Sequence, residues 1–155
     1  MKKILITVTF TFCLLILANA QDYSTGIGLR AGPYIGFTVK QFVNEKSAIE
    51  ALVSTRWKGI EFTGLYEIHF SAFKVDRLNW FLGGVGHIGF YNGDNTDWGT
   101  AETSYVNAGI DGIIGLEYSF SEFPVSLGID WKPALNLIGY SGIWSEGGIS
   151  VRYVF

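Results

Sequence analysis

Glu67, His69 and Ser71 together carry the functional groups of a base-activated nucleophile. In that arrangement a carboxylate orients an imidazole, and the imidazole takes the proton of an attacking serine hydroxyl. A spacing of two puts all three on one face of a β-strand, in steps of about 7 Å. Those steps are long for a proton relay, so Glu67 orients His69 only through favourable rotamers. Catalysis by His69, Ser71 and Glu67 is therefore the alternative reading. A polar lining on the inside of a strand is the economical one.

Other chemistry is sparser. The histidines are His69 and His87. If the chain turns back near 71–78, His69 falls beside Trp80, and His87 lies about 20 Å further along. They do not share a metal, and His87 is expected to hydrogen-bond within an interior. Gly83-Gly84-Val85-Gly86 lacks the Lys-Ser/Thr and the helix of a phosphate loop. Asn92 to Asp97 is acidic but lacks the spacing and bidentate glutamate of an EF-hand. No metal and no cofactor are expected.

The elements that carry these residues alternate with period two. Eight segments stand out: 26–32, 34–43, 47–57, 60–70, 79–91, 105–120, 125–137 and 147–155. Between them lies turn chemistry, at Gly32-Pro33, Asn44-Glu45-Lys46, Lys58-Gly59, Gly93-Asp94-Asn95 and Ser121 to Pro124. In segment four one face reads Ile60, Phe62, Gly64, Tyr66, Ile68, Phe70, and the other Glu61, Thr63, Leu65, Glu67, His69, Ser71. The later segments divide in the same way, with one apolar face and one face that holds the charges.

Charged residues are only 16% of the chain and hydrophobic ones 48%, against about 25% charged in a typical soluble domain. Too few charges remain to solvate an outer wall. The economical arrangement is inverted, with the bulky apolar face outward to lipid and the charged face inward. Trp57, Trp80, Tyr91, Tyr118, Phe120, Trp131, Tyr153 and Phe155 lie at or near segment ends, where interface girdles belong. The inward charges are Arg30, Lys40, Arg56, Lys132 and Arg152 against Glu50, Glu61, Glu67, Asp111, Glu117 and Asp130. An eight-stranded barrel is just wide enough for side chains to fill, so these charges should pair rather than line a channel. No open pore is expected. If Lys58-Gly59 is a two-residue loop, Trp57 faces Ile60, Arg56 faces Glu61 and Glu50 faces Glu67. Across the turn at 44–46, Lys40 faces Glu50, which gives a row of Glu67, Glu50 and Lys40. Loops at 92–104 and 138–146 are left as the surfaces for interaction.

The first 20 residues read as a cleavable signal peptide, which leaves 21–155 as one domain. Met1-Lys2-Lys3 is basic, Ile4 to Leu17 is apolar, and Ala18-Asn19-Ala20 is a small-x-small cleavage site. The apolar run is short of the roughly 20 residues of a spanning helix. Removing Lys2 and Lys3 takes the net charge from −3 to −5, and the only cysteine, Cys13, leaves too. Thiol chemistry is thereby excluded. A negative chain without a Lys/Arg cluster is no nucleic-acid binder.

The leader, the eight segments, the polar inner face and the run Ile149-Ser150-Val151-Arg152-Tyr153-Val154-Phe155 resemble the small eight-stranded outer-membrane barrels of the OmpA/OmpX type. The resemblance spans nearly all of 21–155 and is one of pattern. It implies an all-β fold, an eight-stranded antiparallel transmembrane up-and-down β-barrel with a polar, side-chain-filled lumen. It also implies Sec-type export to the outer membrane, contact with outer-membrane lipids, a monomer, and a non-enzymatic structural or interaction role. In that class the last strand alternates apolar residues and ends on an aromatic read by the barrel-assembly machinery. Ile149, Val151, Tyr153 and Phe155 match this, while Ser150 and Gly148 depart from the common pattern. Two alternatives stay open: a lipid-modifying enzyme similar to lipid A deacylases, using His69, Ser71 and Glu67, and a soluble lipocalin-like barrel. The inward charges oppose the second.

Overall fold

The computed structural model describes residues 23–56, 58–92, 104–139 and 142–155. The expected signal peptide, Trp57, the tip of the 92–104 connection and residues 140–141 lie outside the described residues. Eight strands form in chain order: β1 Thr25–Ala31, β2 Ile35–Phe42, β3 Ser47–Arg56, β4 Gly59–Ser71, β5 Leu78–Asn92, β6 Ser104–Ser119, β7 Val125–Ile138 and β8 Gly142–Val154. Each pairs antiparallel with its sequence neighbours, and β8 closes on β1 from Gly26↔Val154 to Ala31↔Ile149. The result is a closed up-and-down barrel. Closure leaves no sheet edge along the paired length. Phe155 is tied in as well, since its carbonyl accepts from the Ser24 and Thr25 amides. We call the end carrying Tyr23 and Phe155 the terminal end, and the opposite end the mouth.

Alternation sets the two sides of the wall. Ile27, Leu29, Phe37, Ile49, Phe62, Ile114, Ile129, Ile149 and Val151 all point out and are exposed. Their strand neighbours point in and are buried, among them Arg30, Lys40, Glu50, Glu67 and Arg152, each 2% exposed or less. Pro133 sits in β7, where its missing amide interrupts the ladder to β6 between Ala134 and Trp131. A second irregularity lies at Ala108/Gly109. The Gly83-Gly84-Val85-Gly86 run is a wall element. A Cβ on Gly83 would stand 2.2 Å from the Tyr66 carbonyl oxygen, and one on Gly86 2.6 Å from that of Gly109.

Three expectations are corrected. The loop joining β3 to β4 is 57–58, not 58–59, because Arg56 pairs with Gly59. Ser54 therefore faces Glu61, Glu50 faces Leu65, and Ala48 faces Glu67, a shift of two from the expected register. The cause is Gly59. It is glycine because a Cβ there would stand 2.2 Å from Tyr91 Cδ1, while the left-handed turn position falls on Lys58 at φ 57°. Tyr91 is not part of a girdle: it points inward and is 4% exposed. Finally, 138–146 is not a loop. β8 starts at Gly142, opposite Asn136, so the β7–β8 hairpin is a continuation of the wall. By contrast Lys40 does face Glu50 across β2 and β3.

Candidate functional site in the barrel lumen

The inward side chains gather into two polar clusters. On β4 Leu65 lies between Glu67 and Glu61, and on β6 Ile113 lies between Glu117 and Asp111. Leu65, Ile113 and Phe81 pack together as a small buried apolar group. Among the described residues no ion pair crosses from one cluster to the other.

The terminal-end cluster centres on Lys40. Its Nζ lies 2.8 Å from Glu67 Oε2, 3.0 Å from Glu117 Oε2 and 3.3 Å from Glu50 Oε2, and 4.5 Å from the Phe81 ring centroid. Arg152 lies 2.5 Å from Glu50 and 3.0 Å from Glu117. The Thr38 hydroxyl donates to Glu50, and the Tyr23 hydroxyl donates to Glu117. Tyr23 also stands edge-on to Phe42, 5.1 Å between ring centroids, and fills the terminal end. Five strands supply this cluster, because long side chains in a narrow barrel converge on the axis. The cost of burying each charge is offset only by this dense pairing.

The mouth-side cluster is built on Arg30 and Lys132. Arg30 lies 2.6 Å from Asp130 and 3.0 Å from Glu146. Lys132 Nζ is held more loosely, 3.5 Å from Glu61, 3.5 Å from Glu146 and 3.8 Å from Asp111. The Tyr91 hydroxyl donates to Glu61 at 2.7 Å. His87 spans Asp111 at 2.7 Å and Asn136 at 2.8 Å. Arg56 is only half-buried, at the mouth, with its guanidinium 5.2 Å from the Tyr34 ring and 5.7 Å from the Trp144 ring.

The lumen thus brings together Arg30, Lys40, Glu50, Glu61, Glu67, Asp111, Glu117, Asp130, Lys132 and Arg152, with Arg56 at its rim. Sequence reasoning missed Glu146, Tyr23 and Tyr91. Glu146 alternates in phase with Gly148, Ser150 and Arg152, a signal masked by the neighbouring glycines. Tyr91 alternates in phase with His87 and Gly89, which a reading of aromatics as girdle residues overrides.

The serine arrangement does not assemble. His69 Nε2 lies 3.0 Å from Glu67, and its ring stacks on Phe81 with centroids 5.1 Å apart. Ser71 is exposed at the end of β4, and no hydrogen bond links its hydroxyl to His69. Glu67 is meanwhile held by Lys40. The two histidines belong to different clusters: His69 is opposite Phe81, and His87 is opposite Thr63.

On the outer wall, Ile149, Val151, Tyr153 and Phe155 are all about half exposed. The terminal end is ringed by aromatic pairs: Phe70 with Trp80, Tyr118 with Phe120, Phe120 with Phe123, and Tyr153 with Phe155, at centroid distances of 4.5 to 6.1 Å. Trp131, by contrast, lies within β7 opposite Gly147 rather than at its end.

No family model matches the chain, and no curated protein matches it. Among solved structures, the crystal structure of the N-terminal β-barrel domain of Pseudomonas aeruginosa OprF superposes with a TM-score of 0.70. The match covers 86% of this chain and 98% of that domain, at 15% identity. The chain therefore shares the fold of that domain, a closed eight-stranded antiparallel barrel.

Proposed function

We propose that the protein is a non-enzymatic outer-membrane β-barrel, plugged by its own side chains, with a structural or interaction role. The observation that carries this reading is the inversion of polarity. Charged side chains such as Lys40 and Glu67 are 0% exposed, while Phe37 is 68% and Ile129 57% exposed. In a water-soluble protein charged residues are almost never fully buried and large apolar patches are few. In a bilayer every backbone group must be satisfied within the structure, which a closed barrel does. The aromatic ring at the terminal end supports the same reading. The OprF barrel is a parallel in fold.

The experiment is electrophoresis of the envelope fraction with and without boiling. A closed membrane barrel stays folded in cold SDS, and its mobility changes only on heating. A heat-dependent shift in the outer-membrane fraction is expected. A soluble protein without a shift would overturn the reading.

A further inference from the structure

The wall ends level at one end of the barrel and unevenly at the other. At the terminal end, backbone hydrogen bonds from Phe42 to Ser24, His69 to Lys46, Ser119 to Arg77 and Val154 to Pro124 join neighbouring strands into one rim. Differences in strand length therefore emerge at the mouth. β1 and β2 have 7 and 8 residues, whereas β5 and β6 have 15 and 16. At about 3.3 Å per residue and a tilt of about 40°, β1 and β2 rise about 18–20 Å, and β5 and β6 about 38–40 Å. The apolar band of a membrane barrel is about 25 Å tall. The low side falls short of that band, and the high side exceeds it.

Two features mark the low side. β8 pairs with β7 up to Gly142, but with β1 only up to Ile149. The turn after β1 reaches Gly147, where a Cβ on Gly32 would stand 2.4 Å from the carbonyl oxygen. Beyond it the β8 edge has no β1 ladder, and an open sheet edge is not tolerated in hydrocarbon. The outward positions of β8 also lose their apolar side chains there. Above Ile149 come Gly147 and Ser145, both exposed. Ile143, higher still, pairs with Leu135 and belongs to the β7 side of the wall. On the high side the outward apolar residues continue, with Ile114, Ile110 and Val106 of β6 exposed in turn. Ser145 and Ile110 stand the same number of residues above the terminal ends of their strands, Val154 and Ser119. At that one height the wall is polar on β8 and apolar on β6.

We propose that the low wall along β8, β1 and β2 is a lipid-thinning surface, beside which the mouth-side leaflet dips to the level of the β1–β2 turn. Head groups and water then reach the open β8 edge and Ser145, while acyl chains cover β6 to the height of Ile110. The short belt of Ile27, Leu29, Phe37 and Ile35 fits shortened, disordered chains, because a bilayer thins to match a short apolar wall. The inference deepens the membrane reading and rests on it.

The test is spin-label accessibility in dioleoylphosphatidylcholine vesicles. The full chain carries Cys13→Ser and one new cysteine at a time, and each variant is first checked for the heat shift in SDS. Oxygen partitions into hydrocarbon and a nickel chelate stays in water, so the ratio of chelate to oxygen collisions reads depth. Ser145→Cys should give a ratio several-fold above that of Ile110→Cys. Ile35→Cys, at the upper end of β2, supplies a second reading on the low side. It lies fewer residues from the terminal end than Ile110, so a flat leaflet makes it the deeper of the two and a dip makes it the shallower. Tyr153→Cys on β8 and Tyr118→Cys on β6 should read alike, since the terminal end is level. Opposite offsets at the two ends mean a tilted barrel and overturn the proposal. So do equal readings at 145 and 110, in lipid or in water, and a label at 145 shielded from both reagents, which puts a protein partner over the notch. Ile129→Cys separates the two levels of the argument. A lipid reading there with no dip overturns the thinning alone, whereas a water reading overturns the membrane reading beneath it.

Discussion

Lys40 of β2 and Glu67 of β4 are separated by the whole of β3, yet Lys40 Nζ lies 2.8 Å from Glu67 Oε2. The two are not register partners; they meet because both side chains run to the barrel axis. The expected row of Glu67, Glu50 and Lys40 placed Glu50 opposite Glu67 by hairpin register. The true partner of Glu50 on β4 is Leu65. The ammonium nonetheless sits among three carboxylates, so lumen contacts here follow side-chain length more than ladder pairing.

Lys40→Met removes the one cation shared by Glu50, Glu67 and Glu117. Arg152 still pairs with Glu50 and Glu117, while among the described residues the ion-pair partner left to Glu67 is His69. Breaking a buried ion pair by removing one partner costs about 3–5 kcal/mol. Urea unfolding of the barrel in detergent, with the midpoint and slope fitted separately, should show a loss of that order at unchanged slope.

The glycines of the wall divide by what a methyl group would meet. Gly83→Ala drives Cβ to 2.2 Å from the Tyr66 carbonyl oxygen, which is backbone and cannot yield cheaply. A cost of about 1–3 kcal/mol is expected. At Gly64 a Cβ meets nothing within 4 Å, so Gly64→Ala should stay within about 0.5 kcal/mol of wild type. Equal effects of the two in the same unfolding assay would contradict this account of the wall.

The lumen should not conduct as a large pore. Buried acids and bases fill it from Tyr23 at the terminal end to Lys132 and Tyr91 near the mouth, with Leu65, Phe81 and Ile113 between. Planar-bilayer recordings are expected to show no frequent, stable, large-conductance openings. Ser71→Ala should likewise leave the mass spectrum of lipid A unchanged, because Ser71 is exposed and His69 is bonded to Glu67 instead.

Strand number, closure and the inward set from Arg30 to Arg152 were legible in the sequence because period two is unambiguous wherever a strand holds both a charge and a bulky apolar residue. Hairpin details were not. Gly59 reads as a turn glycine, but its lack of a side chain answers to Tyr91 on the next strand. That demand is nonlocal, and mistaking it moves the β3–β4 register by two. Gly147 and Gly148 likewise read as the start of segment eight, with a loop before them. Gly148 is small because a Cβ would stand 2.5 Å from Arg30 Cζ. Treating these glycines as a boundary hid the strand before them, and with it Glu146.

The sign of one surface substitution separates a lipid-facing wall from a water-facing one. Ile129 is 57% exposed on β7, between Leu116 of β6 and Ile149 of β8, well inside the paired length. If lipid covers it, Ile129→Arg places a guanidinium in hydrocarbon and should cost about 2–4 kcal/mol, depending on depth. If water covers it, the same change exposes no new apolar surface and should be neutral within about 0.5 kcal/mol. Phe73 serves as the internal reference. It is 84% exposed in the β4–β5 turn at the terminal end, at φ 51°, away from the paired wall. Phe73→Arg should be near neutral in either case. Refolding of both variants into phospholipid bilayers, with the folded fraction read from unheated SDS gels across a urea series, measures the difference. A large loss at Ile129 with none at Phe73 is expected. Equal behaviour of the two variants would put water, not lipid, against the wall.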